Sequence, residues 1–538
     1  MLDKIKKIIC EASENVCDWN DINVVLPPEE LRDKFDVSTN LPMVLAKKLG
    51  KNPMQIADEI IAKLSVENAE SVKPGFVNIK MPVKFWQDAI LNIDTFKNIG
   101  QGEKVNIEFV SANPTGPMHI GHTRGAVYGD VLATLLQKSG FDVTREFYVN
   151  DAGGQIAVLE KSFLFRLEQV RKNDFSEPMP DGCYPGDYLI ELAQNFSAKG
   201  EINREYILDA MLNLIKQDLI KLKVKHDKFT SEKAITDAGK IDEAFKILQQ
   251  KNLIYKGKLE APKGKLLEDW EGRDQDLFKS TDFGDDVDRP LKKSDESYTY
   301  FAGDVGYHYD KLQRGYKKMV LILGSDHKGY KKRISAVVNA LSDGKAEIDA
   351  KLCEIVNFLK NGEPVKMSKR AGNFLLASDV LSEVDPDIIR FMMLTRKNDT
   401  ILNFDFEKVK EQSKDNPVFY VQYAHARCCS VLRKAEDIFG KIEPTIPDLS
   451  NTKLLELVIK LCCYQQIIET AVKNYEPHLL IFYIIEVASQ FHSIWNSGFK
   501  FVDSDKQKTE QNLAIIFAVK TVISSVLNVC NITAMEKM

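Results

Sequence analysis

The nine cysteines of the 538-residue chain include no Cys-x-x-Cys pair, so we expect no structural zinc. The adjacent pairs Cys428-Cys429 and Cys462-Cys463 lie in helix-like segments, where two neighbouring side chains cannot both face one partner. Scattered cysteines in a long chain are typical of a reducing compartment. The N-terminal segment MLDKIKKIICEASENVCDW lacks an apolar core for a secretory signal. We therefore expect a cytoplasmic protein.

Long uninterrupted apolar runs are also missing. The most apolar late stretch, Leu513 to Val529, has about the length of a membrane span, but Lys520 falls in its middle. This pattern predicts a buried helix and no membrane association. The formal net charge is only -5, from 73 basic and 78 acidic side chains. That balance argues against a general nucleic-acid coat, although local basic patches could still bind one RNA.

The order of elements predicts an α/β protein of several domains. Residues 1–95 read as a small α/β unit. Residues 104–111, KVNIEFVS, predict a strand, and Thr123 to Ser139 a helix that leads to the strand FDVTREFYVN. This βαβ unit predicts a Rossmann-type parallel sheet, which spans residues 100–414 and carries a helical insertion at about 155–235. Further strands of the parallel sheet are predicted in YTYFAGDVGYHYDK, in KKMVLILGSDH and near Ile355 to Phe358. The pattern of residues 415–538 predicts helices throughout.

Two motifs indicate chemistry. His119-Ile120-Gly121-His122 stands between a predicted strand and a predicted helix, where α/β sheets bind nucleotides and helix N-termini attract phosphate. Gly116 shapes the loop that leads to this motif. Gly121 has no side chain, so a base or sugar can lie against the backbone there. The plain alternative is a pair of ordinary loop histidines.

The second motif is Lys366-Met367-Ser368-Lys369-Arg370, a short cationic loop with a glycine shortly after it. Mobile lysines can stabilise the charge that develops on phosphate oxygens when ATP is cleaved to pyrophosphate. Taken alone, the loop is better explained as a solvated basic stretch.

HIGH near the first βα turn and KMSK after the last predicted sheet strand, in that order, resemble the signature of class I aminoacyl-tRNA synthetases. The stretches EFVSANPTGPMHIGHTRGAVYGDVLATLL, NDAGGQI, YFAGDVGYHYDK, GSDHKGY and DNPVFYVQYAHAR are similar to arginyl-tRNA synthetases of the bacterial type. The resemblance implies that L-arginine, ATP and tRNA(Arg) are the substrates, that Mg²⁺ accompanies ATP, and that the protein is a monomer that binds no DNA. It implies an elbow-contacting domain at residues 1–95 and an anticodon-binding domain at 415–538.

The resemblance also assigns roles to residues. The catalytic residues would be His119, His122, Lys366 and Lys369, and ATP would be bound by Gly116, His119, Gly121, His122, Met367, Ser368 and Lys369. Because a guanidinium is best recognised by carboxylates, the arginine pocket should be acidic. Its expected members are Glu108, Ser111, Asn113, Tyr300, Asp304, Asp326 and His327. For Asp304, a helix N-cap or turn role is the plain alternative.

Aromatic and cationic side chains at the start of the helical part are candidates for stacking on anticodon bases. They are Tyr420, Tyr423 and Arg427. Apolar residues alternate with them at helical spacing, so part of this set must be core. Three rival functions remain: a class I synthetase for lysine, a small-molecule nucleotidyltransferase, and a tRNA-binding protein without catalysis.

Overall fold

The structure is a computed structural model that describes residues 2–93, 96–196, 204–259, 272–327, 329–365, 375–413 and 415–538. Internal contacts divide the chain into two units: residues 1–97 together with 412–538, and residues 98–411. The motif residues Lys366, Met367, Ser368 and Lys369 lie outside the described residues. Their predicted roles therefore stay predictions.

The strands are β1 (Val24–Val25), β2 (Val37–Thr39), β3 (Asn68–Val72), β4 (Phe76–Lys80), β5 (Lys104–Glu108), β6 (Asp142–Val149), β7 (Lys228–Ser231), β8 (Ile254–Gly257), β9 (Gln275–Phe278), β10 (Arg289–Lys292), β11 (Lys318–Gly324), β12 (Glu347–Cys353), β13 (Val356–Lys360), β14 (Glu363–Pro364) and β15 (Leu402–Asp405). The helices are α1 (Leu2–Ala12), α2 (Leu41–Leu49), α3 (Pro53–Ile61), α4 (Val83–Ile90), α5 (Thr123–Lys138), α6 (Gly154–Lys172), α7 (Tyr188–Asn195), α8 (Arg204–Lys221), α9 (Glu232–Asp237), α10 (Lys240–Gln250), α11 (Tyr300–Gln313), α12 (Tyr330–Ser342), α13 (Ala377–Glu383), α14 (Pro386–Met393), α15 (Pro417–Phe439), α16 (Thr452–Cys462), α17 (Tyr464–Asn474), α18 (His478–Asn496) and α19 (Lys506–Val529).

The unit of residues 98–411 is built on a five-stranded sheet in the order β12-β11-β5-β6-β7. Every neighbouring pair in this sheet is parallel, which confirms the predicted Rossmann-type sheet. The chain runs from β5 through β6 to β7 on one side and later adds β11 and β12 on the other. The strand order therefore reverses between β5 and β11, and ligands bind at such a switch point, beyond the carboxyl ends of the strands.

Helix α5 packs closely behind the end of β5. Its buried face includes Val127, Val131 and Leu135, as the helical spacing predicts. A Cβ atom at Gly129 would lie 2.3 Å from the Phe109 ring, so only glycine allows this close approach. The packing fixes the loop between β5 and α5, which contains the HIGH motif.

Two sequence predictions about this unit are corrected. Tyr298 to Phe301 is not a strand, because the Thr299 side chain accepts a hydrogen bond from the Ala302 amide and starts helix α11. The strand near Ile355 to Phe358 exists as β13, but it pairs with β14 and β15 in a separate sheet.

The other unit joins a four-stranded antiparallel sheet, β1-β2-β4-β3, to the helices α1–α4 and α15–α19. Within this unit the Gln87 side chain of α4 donates a hydrogen bond to the Pro447 carbonyl at 2.8 Å. Among the described helices, α19 alone has the length and apolar composition of a membrane span, and 61% of its most apolar stretch is buried. That burial agrees with the buried helix predicted for Leu513 to Val529.

Candidate active site

The chain turns sharply where β5 ends. Val110 and Ser111 both adopt left-handed backbone conformations, with φ of 70° and 41°, and such a conformation is strained for a β-branched residue. The turn brings the Ser111 hydroxyl 3.2 Å from a Glu108 carboxylate oxygen, to which it donates. The same hydroxyl accepts from the Tyr148 amide at 3.0 Å. Two of the predicted arginine-pocket residues, Glu108 and Ser111, are therefore in direct contact.

The HIGH motif forms a single compact turn at the start of α5. The rings of His119 and His122 stack with their centroids 3.8 Å apart. The Gly121 amide donates to Nδ1 of His119 at 3.1 Å, and a Cβ atom at Gly121 would lie 2.8 Å from that ring. Only glycine at position 121 leaves room for the His119 ring, and the two imidazoles therefore lie together at a helix N-terminus, where phosphate binding is favoured.

The described residues that follow the KMSK segment are held against this turn. The Ile120 amide donates to the Leu375 carbonyl at 3.0 Å, and the Ala377 amide donates to the Met118 carbonyl at 2.8 Å. On the other side, the Val365 amide donates to the Phe358 carbonyl at 2.9 Å. The chain that follows the KMSK segment is thus attached directly to the HIGH turn.

A cavity of about 870 Å³ opens in front of the HIGH turn. The predicted site residues in its lining are Ser111, Asn113, His119, Gly121, His122, Asp326 and His327. Asn113 donates to the Gln155 side chain at 2.9 Å. Asp326 and His327 are exposed, with their carboxylate and imidazole 3.7 Å apart. The volume suits a nucleotide-sized ligand.

Four described residues that the sequence predicts for the site, Glu108, Gly116, Tyr300 and Asp304, are not in the lining of this cavity. Gly116 lies against Tyr188 instead, where a Cβ atom would come 2.8 Å from the tyrosine hydroxyl. Tyr300 is the first residue of α11 and is 60% exposed. It stands one helical turn before Asp304, so both project from the same face of α11.

Glu108 has an internal counter-ion. The Lys311 ammonium group, which is fully buried, lies 2.6 Å from one carboxylate oxygen of Glu108, and Ser111 donates to the other. Lys311 comes from α11, so the end of β5 and this helix are joined by a buried ion pair. Both oxygens of Glu108 therefore already have partners.

Asp304 has a different environment. Its carboxylate accepts a hydrogen bond from the Tyr330 hydroxyl at 2.8 Å. Burial raises the pKa of Asp304 from 3.8 to about 7; the Tyr330 hydrogen bond and Arg333 oppose the rise, while Glu108 and Glu232 add to it. The carboxylate is thus desolvated, and no cation among the residues that the structure describes forms an ion pair with it.

Further carboxylates surround the same point. Burial, and then the charge of Asp151, raise the pKa of Glu232 at the start of α9. Burial is also the main reason for the raised pKa of Tyr148, and Glu232, Asp304, Glu108 and Asp151 contribute to it in that order. These residues form an acidic cluster, defined as Glu108, Asp151, Glu232 and Asp304. Such a cluster is suited to a cationic ligand.

Comparison with known proteins identifies the family. Family models match residues 3–81 (arginyl tRNA synthetase N terminal domain), 87–182 (tRNA synthetases class I (R), catalytic domain) and 421–538 (DALR anticodon binding domain). The arginine–tRNA ligase of Roseobacter denitrificans is 46% identical over a match that covers 98% of this chain and 96% of the relative. That of Wolbachia pipientis from Culex pipiens is 47% identical and covers 96% and 95%.

The chain belongs to the arginyl-tRNA synthetase family. The resemblance inferred from the motifs is thereby confirmed. The fold agrees, since the Thermus thermophilus arginyl-tRNA synthetase superposes with a TM-score of 0.79 over 100% of both chains, at 19% identity.

Two of the three residues predicted to bind tRNA, Tyr423 and Arg427, lie in the region that matches the anticodon-binding model, and Tyr420 directly precedes it. The Arg427 guanidinium lies between two rings, 4.2 Å from the centre of Tyr423 and 4.8 Å from that of Trp495. Tyr423 is 43% exposed. Tyr420 is partly buried, and its ring centroid lies 4.5 Å from that of His492. Tyr423 is thus exposed with the Arg427 guanidinium against its ring, whereas Arg427 itself and Tyr420 are both half-buried.

Sequence reasoning missed three residues at the candidate active site. Glu232 follows directly after strand β7, a position that could have marked it, but β7 itself was not predicted. Lys311 gave no signal, because its partner Glu108 is 203 positions away. Arg124, in the cavity wall, is buried and donates to the carbonyls of Glu354, Lys397 and Thr400 at 2.7–2.9 Å. It fixes this wall behind the HIGH turn.

Proposed function

We propose that the protein is an arginine–tRNA ligase, which activates L-arginine with ATP and transfers it to the terminal ribose of tRNA(Arg). One observation carries the proposal: an acidic cluster, in which burial raises the pKa of Asp304 and of Glu232, lies at the sheet switch point, beside a cavity that is lined by the HIGH turn. The cluster suits a guanidinium, and the helix N-terminus suits the phosphates of ATP.

In the first step, the carboxylate of arginine attacks the α-phosphate of ATP and gives arginyl-adenylate and pyrophosphate. His119 and His122 are proposed to stabilise the phosphates, with Gly116, Gly121, Met367 and Ser368 shaping the ATP site. Lys366 and Lys369 are proposed to stabilise the departing pyrophosphate. No protein nucleophile is needed, because positioning and electrostatics supply the catalysis.

The contacts divide the arginine-binding roles. Glu108 is occupied by Lys311 and Ser111, so we assign the guanidinium to Asp304 and Glu232. Tyr300 would supply a packing face one turn from Asp304. Ser111, Asn113, Asp326 and His327 line the cavity and would meet the backbone portion of arginine or the nucleotide.

Mg²⁺ is proposed to accompany ATP. Within the described ranges there is no group of three or more His, Cys, Asp or Glu side chains placed to hold a metal ion. Mg²⁺ usually keeps several waters and is held by substrate phosphates with one or two carboxylates, so the phosphates of ATP are its expected ligands here.

In the second step, the terminal ribose hydroxyl of the tRNA attacks the activated carbonyl of arginine, and AMP leaves. We propose that residues 1–95 contact the tRNA elbow and that residues 415–538 bind the anticodon, with bases stacking on Tyr423 and Arg427. Tyr420 would act mainly by supporting this surface. We further propose a cytoplasmic monomer with no DNA or membrane partner.

The test is amino-acid-dependent ATP–pyrophosphate exchange, run with each amino acid in the presence and absence of total tRNA. Exchange that depends on arginine, and that appears or rises when tRNA is added, is the expected result. Exchange with lysine would keep the class of enzyme and overturn the pocket assignment. No exchange under any condition would favour a tRNA-binding protein without catalysis.

A further inference from the structure

Two cysteine sulfurs meet at the end of helix α1, in the unit that does not contain the candidate active site. Sγ of Cys17 lies 3.6 Å from Sγ of Cys10, although the two residues are seven positions apart. Glu14 and Asn15 between them both adopt left-handed conformations, with φ of 57° and 58°. These consecutive left-handed residues reverse the chain and bring Cys17 back to the helix end.

The two thiols differ in access. Cys10 is partly exposed, whereas Cys17 is buried with 8% of its surface exposed. The Ser13 hydroxyl lies 3.1 Å from Sγ of Cys17, so a polar group already contacts the inner sulfur. A reagent in solution therefore reaches Cys10 first and finds Cys17 directly behind it.

We propose that Cys10 and Cys17 are a dithiol modification site, which a low-molecular-weight disulfide of the glutathione class converts into an intrachain disulfide bond. The Cys10 thiolate attacks one sulfur of the oxidised reagent and releases the first reduced thiol. The Cys17 thiolate then attacks Sγ of Cys10 and releases the second. The two cysteines lose two electrons and two protons in total, and one molecule of oxidised reagent becomes two molecules of reduced thiol.

The first step limits the rate. Burial, and then the hydrogen bond with Cys17, raise the pKa of the Cys10 thiol, so little thiolate is present at neutral pH. The second step is intramolecular, between sulfurs already in contact, and is therefore fast. The mixed disulfide at Cys10 should consequently be short-lived, which distinguishes this site from an ordinary surface thiol.

Cys183 provides an internal control. It is also partly exposed, but it belongs to the other unit and should accumulate a stable mixed disulfide. The bond between Cys10 and Cys17 would join the end of α1 to the segment that leads to Trp19. The proposal does not depend on the proposed enzymatic function, and its failure would leave that function untouched.

The test treats the folded full-length protein with oxidised glutathione at about pH 8 and follows each cysteine by peptide mass analysis. Cleavage after Lys7 and Arg32 leaves Cys10 and Cys17 in one peptide, which should lose two hydrogens and regain them on reduction. Additional cleavage after Glu11 and Glu14 should leave the two parts joined. The peptide with Cys183 should instead gain one glutathionyl group.

The matched variant is Cys17→Ser, which removes the second thiol and leaves Cys10 in place. Its Cys10 should carry at least about tenfold more mixed disulfide than the unaltered chain, because no neighbouring thiol resolves it. Equal amounts of mixed disulfide at Cys10 in the two proteins would overturn the proposal. So would a Cys10–Cys17 peptide that stays fully reduced in the unaltered chain while Cys183 is modified, a result that needs no variant to fold.

Discussion

The end of β5 and the first turns of α11 each place a carboxylate at the candidate arginine site, but the two carboxylates have different partners. Glu108 at the end of β5 has a buried ammonium group 2.6 Å away and a hydroxyl donor on its other oxygen. Asp304 on α11 has a neutral donor, Tyr330, at 2.8 Å, and burial raises its pKa to about 7. Glu108 is thus neutralised by a cation of the protein itself, whereas no described residue forms an ion pair of comparable closeness with Asp304.

This difference indicates a structural role for the Glu108–Lys311 pair and an arginine-binding role for Asp304. A buried ion pair that is complete within the fold contributes to its architecture, and removal of one partner leaves an uncompensated charge. A desolvated carboxylate without such a partner costs the free protein stability and can regain it when a cationic ligand arrives. We therefore expect changes at Lys311 to act mainly on folding and changes at Asp304 mainly on arginine.

The largest effect is expected from Lys311→Met. This change leaves Glu108 buried without its cation and should lower the free energy of unfolding by about 3–5 kcal/mol. Chemical unfolding of the full chain measures it. The control is Lys332→Met, because Lys332 pairs with Asp286 at 2.7 Å with both side chains more than half exposed. That change should cost less than about 1 kcal/mol, and equal losses in the two variants would contradict the supporting role of Lys311.

Asp304→Asn should raise the KM for arginine about 30-fold or more, because it removes the charged partner of the guanidinium, a loss of about 2 kcal/mol or more. The KM for ATP should change little. Steady-state exchange kinetics measure both values. Asp310→Asn is the control, since Asp310 lies on the same helix but pairs with Arg314 at 2.8 Å. A rise in the ATP requirement alone would show that the role assigned to Asp304 is wrong.

The same substitution also tests how much the ionised, buried carboxylate of Asp304 lowers the stability of the protein. A carboxyl group whose pKa is higher in the folded than in the unfolded protein contributes stability at low pH and loses it as the pH rises through the folded value. For Asp304 this loss falls between its usual value of 3.8 and about 7. At pH 8, Asp304→Asn should therefore unfold at a higher temperature than the unaltered chain, although it binds arginine less well.

Local sequence predicts the frame of this site better than its contacts. Strands β5, β6 and β11 and helix α5 were predicted because each has a continuous periodic pattern and a turn at its end. The segment at Tyr298 to Phe301 was predicted wrongly, since its aromatic and Thr residues favour a strand by composition. The Thr299 cap and the burial of Phe301 and Ala302 against the core make it a helix instead.

Contacts between distant segments could not be predicted from either segment alone. The pairing of Lys311 with Glu108 depends on how α11 packs against β5, and the position of Glu232 depends on β7 joining the sheet edge. The family resemblance placed Glu108 and Asp304 in one pocket. It did not reveal that one of them is already neutralised, which is a property of the packed structure.

Arginine binding should depend on pH through the ionisation of Asp304, with a smaller effect than the substitution of Asp304. With a pKa of about 7 for Asp304, the carboxyl group is largely protonated at pH 6 and largely ionised at pH 8, so the apparent affinity for arginine should rise about tenfold over that interval. Equilibrium binding across this range measures it. Asp304→Asn should flatten the profile, and an unchanged profile in that variant would assign the titration to another group.

The smallest effect is expected from Tyr330→Phe, which removes the hydroxyl that donates to the charged form of Asp304. Without this hydrogen bond, worth about 0.5–1.5 kcal/mol, the pKa of Asp304 should rise further. Arginine affinity at pH 7 should then fall about threefold and recover at about pH 9, where Asp304 is ionised in both proteins. Tyr316→Phe is the matched control, because its hydroxyl donates to Thr144 at 2.8 Å and not to the acidic cluster. A loss of affinity that does not recover at high pH would mean that Tyr330 acts by packing and that its hydrogen bond does not set the pKa of Asp304.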